Sequence, residues 1–195
     1  MSDPREARLN DPHVVPLMNV VRDLRARGLV VPNVDPNDAG VNARVLVLLE
    51  TPGPKSVASG FVSCDNPDPS AANLAQALDD ASLARSDVLL WNVVPQCLST
   101  ATQNRNASAA EILAAAPDLQ AFIDCLSKLA VVVFCGRSAQ RAKDLVSLPP
   151  GVRVLETFHP AARSYSQARC RADIHEQFKQ AARLIAEKGE PDRLN

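Results

Sequence analysis

RVLVLLE, residues 44–50, places five apolar residues in a row between Arg44 and Glu50. A strand with one face in water alternates apolar and polar residues, whereas an unbroken apolar run marks a strand covered on both faces. Three further runs read the same way: DVLLWNV (87–93), AVVVFCG (130–136) and VRVLETF (152–158). Helix-like segments separate them, and alternating strands and helices imply a parallel sheet with helices on its faces. The expected fold class is α/β: a three-layer α/β/α sandwich around a central, mainly parallel sheet of about four strands. A chain of 195 residues suits one domain spanning 1–195.

The helices are expected as follows. Asp68 and Pro69 supply an N-cap and a first helical residue for a helix over 69–82, with Leu74, Leu78 and Ala81 on one face. Residues 108–128 carry Ile112, Leu119, Ile123 and Leu126, with Pro117 expected to break or kink the segment. A short helix is expected over 137–146 after Gly136, and another near 12–27. The last helix, 167–187, aligns Cys170, Ile174, Phe178, Ala181 and Ile185.

Composition narrows the class. The chain is 46% hydrophobic and 22% charged, which excludes disorder, collagen and coiled coil. No run reaches the roughly 20 apolar residues of a membrane span, and MSDPREARLN has no apolar signal core, so a cytoplasmic protein without membrane partners is expected. Five cysteines, none in a C-x-x-C pair, suggest neither a disulfide framework nor a metal knuckle. A net charge of −1 argues against binding nucleic acid through bulk positive potential.

Ligands of open α/β sheets bind beyond the carboxyl ends of the strands. There the sequence places Glu50-Thr51-Pro52-Gly53-Pro54, Asn92, Cys135-Gly136-Arg137-Ser138 and Phe158-His159-Pro160. Each has a plain structural reading: Glu50 as a cap or ion-pair partner, Asn92 satisfying loop backbone, His159 holding a turn, Phe61 filling the core. Together they suit cleavage of a bond whose leaving group departs as a delocalised anion. A carboxylate orients water and stabilises an oxocarbenium-like sugar. An imidazole donates to developing charge on a carbonyl oxygen. A carboxamide presents a donor and an acceptor to a nucleobase edge.

These residues resemble the uracil-DNA glycosylase superfamily. LLETPGP (48–54) is similar to its first motif, which reads GEAPG in the iron–sulfur branch, matching at Glu50, Pro52 and Gly53. SGF (59–61) sits where the family's base-stacking aromatic lies, LLWNVVP (89–95) resembles the strand bearing the base-reading asparagine, and HPAARS (159–164) is similar to HPSPLS. FCGRSAQ (134–140) fits the strand-glycine-helix segment between them. The sequence departs at Leu49, where the family has glycine, and residues 63–68 match no branch, which leaves Asp65 or Asn66 as candidates to share the role of Glu50. Cys97 resembles one ligand position of the iron–sulfur branch, but the other cysteines are missing, so no metal cluster and no cofactor are expected.

The resemblance implies an enzyme that flips uracil out of single- or double-stranded DNA and hydrolyses its N-glycosidic bond, acting as a monomer. In that reading Glu50 and His159 are catalytic, while Pro52, Gly53, Phe61 and Asn92 bind the base. Lys55, Ala161, Ala162, Arg163 and Ser164 contact DNA. A basic rim of Arg105, Arg137, Arg163, Arg169 and Arg171 would grip phosphates locally despite the near-zero total charge. Two other readings compete: a uracil-DNA or abasic-DNA binder with little turnover, and a hydrolase pairing His159 with Ser138. The second lacks a G-x-S-x-G elbow.

Overall fold

A computed structural model of the chain describes residues 3–98 and 105–188. In chain order its elements are α1 (Val15–Ala26), β1 (Asn33–Val34), β2 (Val45–Leu49), α2 (Pro54–Ser59), β3 (Phe61–Val62), α3 (Pro69–Asp80) and β4 (Val88–Asn92). There follow α4 (Ala109–Ile123), β5 (Val131–Cys135), α5 (Arg137–Gln140), β6 (Arg153–Thr157), α6 (Ala162–Tyr165) and α7 (Ala168–Glu187).

The four apolar runs become one sheet in the order β4-β2-β5-β6, with every pair parallel. In-register rows share a face. Leu48, Trp91 and Phe134 form one row, and the Trp91 ring stacks on Phe122 of α4, 4.2 Å between centroids and 6° from coplanar. Leu49 and Asn92 face the other side, as do Cys135 and Thr157, where the Thr157 hydroxyl donates to Asp173 of α7 at 2.7 Å. α1 packs with α4 and α3 packs with α7, which gives the three layers.

Three expectations are corrected. β6 is not covered on both faces: it alternates, with Arg153, Val154 and Glu156 exposed and Leu155 and Thr157 buried. As an edge strand it is packed on one face only, and Glu156 pairs instead with Lys143 at 2.6 Å. The helix expected over 137–146 splits into α5 and a 3-10 turn, Lys143–Leu145, with Ala139 of α5 and Ala142 between the two buried. α4 runs unbroken through Pro117. That proline lies on the exposed face, as does Leu113, whose carbonyl loses its helical partner to the missing N–H. The short parallel pair β1–β3 was not expected.

Beside β3 lies a partly buried ionic network. Arg85 donates to Asp38 at 2.6 Å, to Asp35 at 2.9 Å and to Asp65 at 2.8 Å, and Arg5 reaches Asp35 at 3.0 Å. The Asp35 and Asp38 side chains are fully buried. Burial pushes the Asp38 carboxyl up to about 7, against the pull of Arg85. Between its ordinary value of 3.8 and about 7 the folded chain therefore holds a proton that the unfolded chain has released. The Asp38 contribution to stability is largest at the acid end of that window and is lost as pH rises through it. The unfolding midpoint of wild type relative to Asp38→Asn is accordingly expected to fall between pH 5 and pH 7; a constant difference would show that Asp38 does not titrate there.

Candidate active site

Because all four strands are parallel, their carboxyl ends bring the sequence-predicted residues to one edge. Two cavities meet there and share His159. The first, about 290 Å³, is lined by Pro52, Gly53, Lys55, Ser63, Asp68, Asn92 and His159, among others. The second is an open groove whose walls include Glu50, Arg137, Ala161, Arg163 and Ser164.

His159 lies two residues past β6. Its Nδ1 accepts the backbone N–H of Ala161 at 3.1 Å. An accepting Nδ1 puts the ring proton on Nε2, so the neutral imidazole is a donor. Burial lowers the imidazole pKa below its ordinary value, offset in part by the Glu50 and Asp68 carboxylates. The loop is held from behind by Asn73 of α3, which donates to the Pro160 carbonyl at 2.7 Å. Gly136 supports it from below: its φ is +89°, and a Cβ there would stand 2.9 Å from His159 Cβ. Gly136→Ala is expected to destabilise the fold by about 1–3 kcal/mol and to lower activity by displacing His159. An unfolding midpoint and specific activity equal to wild type would show that the loop yields freely.

Asn92 ends β4 and is 2% exposed, and its Oδ1 has no hydrogen-bond partner among the described residues. Orphaned buried acceptors are rare and costly, so a carboxamide left open to a cavity points to a ligand. Gly53 has ordinary backbone angles, and a Cβ there would meet nothing within 4 Å. The fold thus leaves that space free beside the cavity. Glu50 is half-buried, and one oxygen accepts the backbone N–H of Ala107 at 2.6 Å. It faces the groove rather than the first cavity.

Other expected residues are placed elsewhere. Phe61 does not line either cavity: its ring is fully buried, with the Arg5 guanidinium 4.1 Å above it, and Val62 and Ser63 take its place in the wall. Asp65 is paired with Arg85, and the Asn66 amide is clipped to Ser56 and to the Phe61 carbonyl. Arg105 is paired with Glu111 at 2.6 Å, beside the capping box that starts α4. Ala162 is exposed at the start of α6 and does not line the groove. Asp68 was expected only as a cap. It is one, accepting from Ser70 and Ala71, and it also lines the first cavity.

The family model for the uracil DNA glycosylase superfamily matches residues 36–183. The chain belongs to that superfamily. The match takes in Glu50, Asn92, Gly136 and His159, and so the whole edge at which the two cavities meet. Membership carries a glycosylase-type role in DNA repair. Among solved structures the chain is similar to wild-type SMUG2 of Pedobacter heparinus, at 12% identity over 93% of this chain and 87% of that one, with a TM-score of 0.49. No curated protein matches the sequence. No helix among the described residues is long and apolar enough to cross a membrane.

Proposed function

We propose that this superfamily member excises uracil from DNA, leaving an abasic site. The observation that carries the reading is the pairing, in one cavity, of a buried carboxamide whose Oδ1 has no partner among the described residues with a neutral imidazole whose Nε2 is left to donate. A flipped uracil offers Asn92 an N–H and a carbonyl on its pairing edge. As the bond between the sugar C1′ and the base N1 breaks, its electron pair passes to the base and spreads onto a carbonyl oxygen. The His159 Nε2–H donates there. The sugar, oxocarbenium-like, takes the oxygen of water, and Glu50 orients that water and accepts its proton. Pro52 and Gly53 let backbone approach the nucleotide, and Lys55, Ala161, Arg163 and Ser164 meet the DNA around it. No metal or cofactor enters these steps.

The test is release of base from single- and double-stranded oligonucleotides carrying uracil, read as strand scission after alkali. No release under conditions where a control glycosylase acts would sink the proposal. Hypoxanthine, xanthine and mismatched thymine in the same assay define the range of bases. The hold of Ala107 on Glu50 favours one second reading, a member that binds uracil-DNA or abasic DNA with little turnover. Multiple turnovers exclude it.

A further inference from the structure

A hydroxyl, an imidazole and a carboxylate form a hydrogen-bonded chain behind the histidine loop. Tyr165, the last residue of α6, is buried, and its hydroxyl lies 2.6 Å from Nε2 of His175 on α7. His175 Nδ1 is 3.0 Å from the carboxylate of Asp80, the last residue of α3. The phenol also lies 3.3 Å from Gln76 Oε1 on α3. Asp80, Gln76, Tyr165 and His175 line neither of the two cavities. No substrate bound in either cavity reaches this phenol, so the chain is not a nucleophile relay.

Its placement gives it a different task. The segment from His159 to Tyr165 is tied to α3 at both ends, by Asn73 at the Pro160 carbonyl and by the phenol through His175 and Asp80. Arg171 adds a bond to the Tyr165 carbonyl at 3.3 Å. Between the two ties stand Ala161, Arg163 and Ser164, which line the groove. Gln76 lets the chain stay satisfied with either proton count on His175. With the ring neutral, the phenol donates to Nε2; with the ring protonated, Nε2–H donates to the phenol, whose own hydrogen turns to Gln76. The Asp80 bond is kept in both arrangements.

We propose that Tyr165, His175 and Asp80 are positioning residues that fix the groove-lining Arg163 and Ser164 against the DNA backbone, so that they govern the grip on duplex and not the events at the base. This rests on the glycosylase reading. The discriminating variant is Tyr165→Phe, which removes the hydroxyl and keeps the ring. Loss of one such hydrogen bond is expected to raise about three- to tenfold the Kd for a duplex carrying a tetrahydrofuran abasic analogue, and KM for uracil duplex with it. kcat should stay within about twofold and inhibition by free uracil should be unchanged, because the cavity at Asn92 is untouched.

Unchanged Kd and KM in folded Tyr165→Phe overturn the proposal. An equal weakening of uracil inhibition overturns it too, since the effect would then be general. Should that variant fail to fold, His175→Gln and His175→Leu decide. The amide can bond both neighbours and should bind duplex nearly as wild type, while leucine should weaken it; equal Kd for the two overturns the proposal. A wild type that binds the duplex but releases no uracil sinks the glycosylase reading alone, and the Kd comparison still judges the relay. A wild type that binds no DNA overturns both.

Discussion

His159→Ala is expected to lower kcat/KM on uracil-containing DNA by about 10²–10³, the loss found when one preorganised donor to a developing oxyanion is removed. Most of the loss should fall in kcat, because in the proposed mechanism the charge that Nε2–H meets exists only as the glycosidic bond breaks. Binding to a duplex with an abasic analogue should change little by comparison. The residue can do this as a neutral ring because Nδ1 is occupied by the Ala161 N–H and burial disfavours the cation. Activity should therefore persist on the acid side of the ordinary histidine value of 6.5 before falling.

The same burial has a cost in stability with a definite sign. As pH falls through 6.5 the unfolded chain takes up a proton at this position and the folded chain does not, so the fold loses stability over that step. His159→Ala removes this component, so wild type should lose more stability than the variant between pH 7 and pH 5.5. Asp38 works in the opposite direction over an overlapping window, because its folded pKa is raised. The two are separable only by comparing each variant with wild type. An alanine variant that keeps full activity would remove His159 from the chemistry.

The sheet could be read because strands buried on both faces leave unbroken apolar runs, and β2, β4 and β5 do so within one residue of the expected bounds. β6 misled because Val154 sits on the open face of an edge strand, where an apolar residue is tolerated and the run looks continuous. β1 and β3 are two residues each, too short for any period to show. Pro117 reads as a breaker in the sequence, but it falls on the exposed face of α4, where Leu113, whose carbonyl it leaves without an N–H, is exposed as well.

At the sheet edge, Glu50, Asn92 and His159 could be placed because each lies at or within two residues of the end of a strand and parallel strands end together. Phe61 could not. Its ring is turned into the core under Arg5, far away in sequence, whose guanidinium covers it and is itself held by Asp3 and Asp35. Asp68 was legible as a cap from the Asp-Pro pair, but its place in the cavity wall depends on where α3 docks. Gly136 could be seen as a helix start. Its close approach to His159 needs the fold.

Asn92→Leu is expected to abolish detectable base release while leaving the protein as stable as wild type or more so. The two halves of that outcome have one cause. The side chain is 2% exposed and its Oδ1 meets no donor among the described residues, and a buried acceptor left without a partner costs about 1–3 kcal/mol. A leucine of similar size removes that cost and fills the space with apolar atoms. In the complex the balance reverses. A pocket built to hydrogen-bond a base edge loses a factor of about 10⁴ or more in discrimination when its polar partner is missing. Asn92→Asp separates the two effects further, since a carboxylate buried at this position should lower both stability and activity. Measuring unfolding midpoints and uracil release on all three proteins tests the assignment. If Asn92→Leu is markedly less stable, the carboxamide serves the fold; if it still releases uracil at the wild-type rate, the base is read elsewhere.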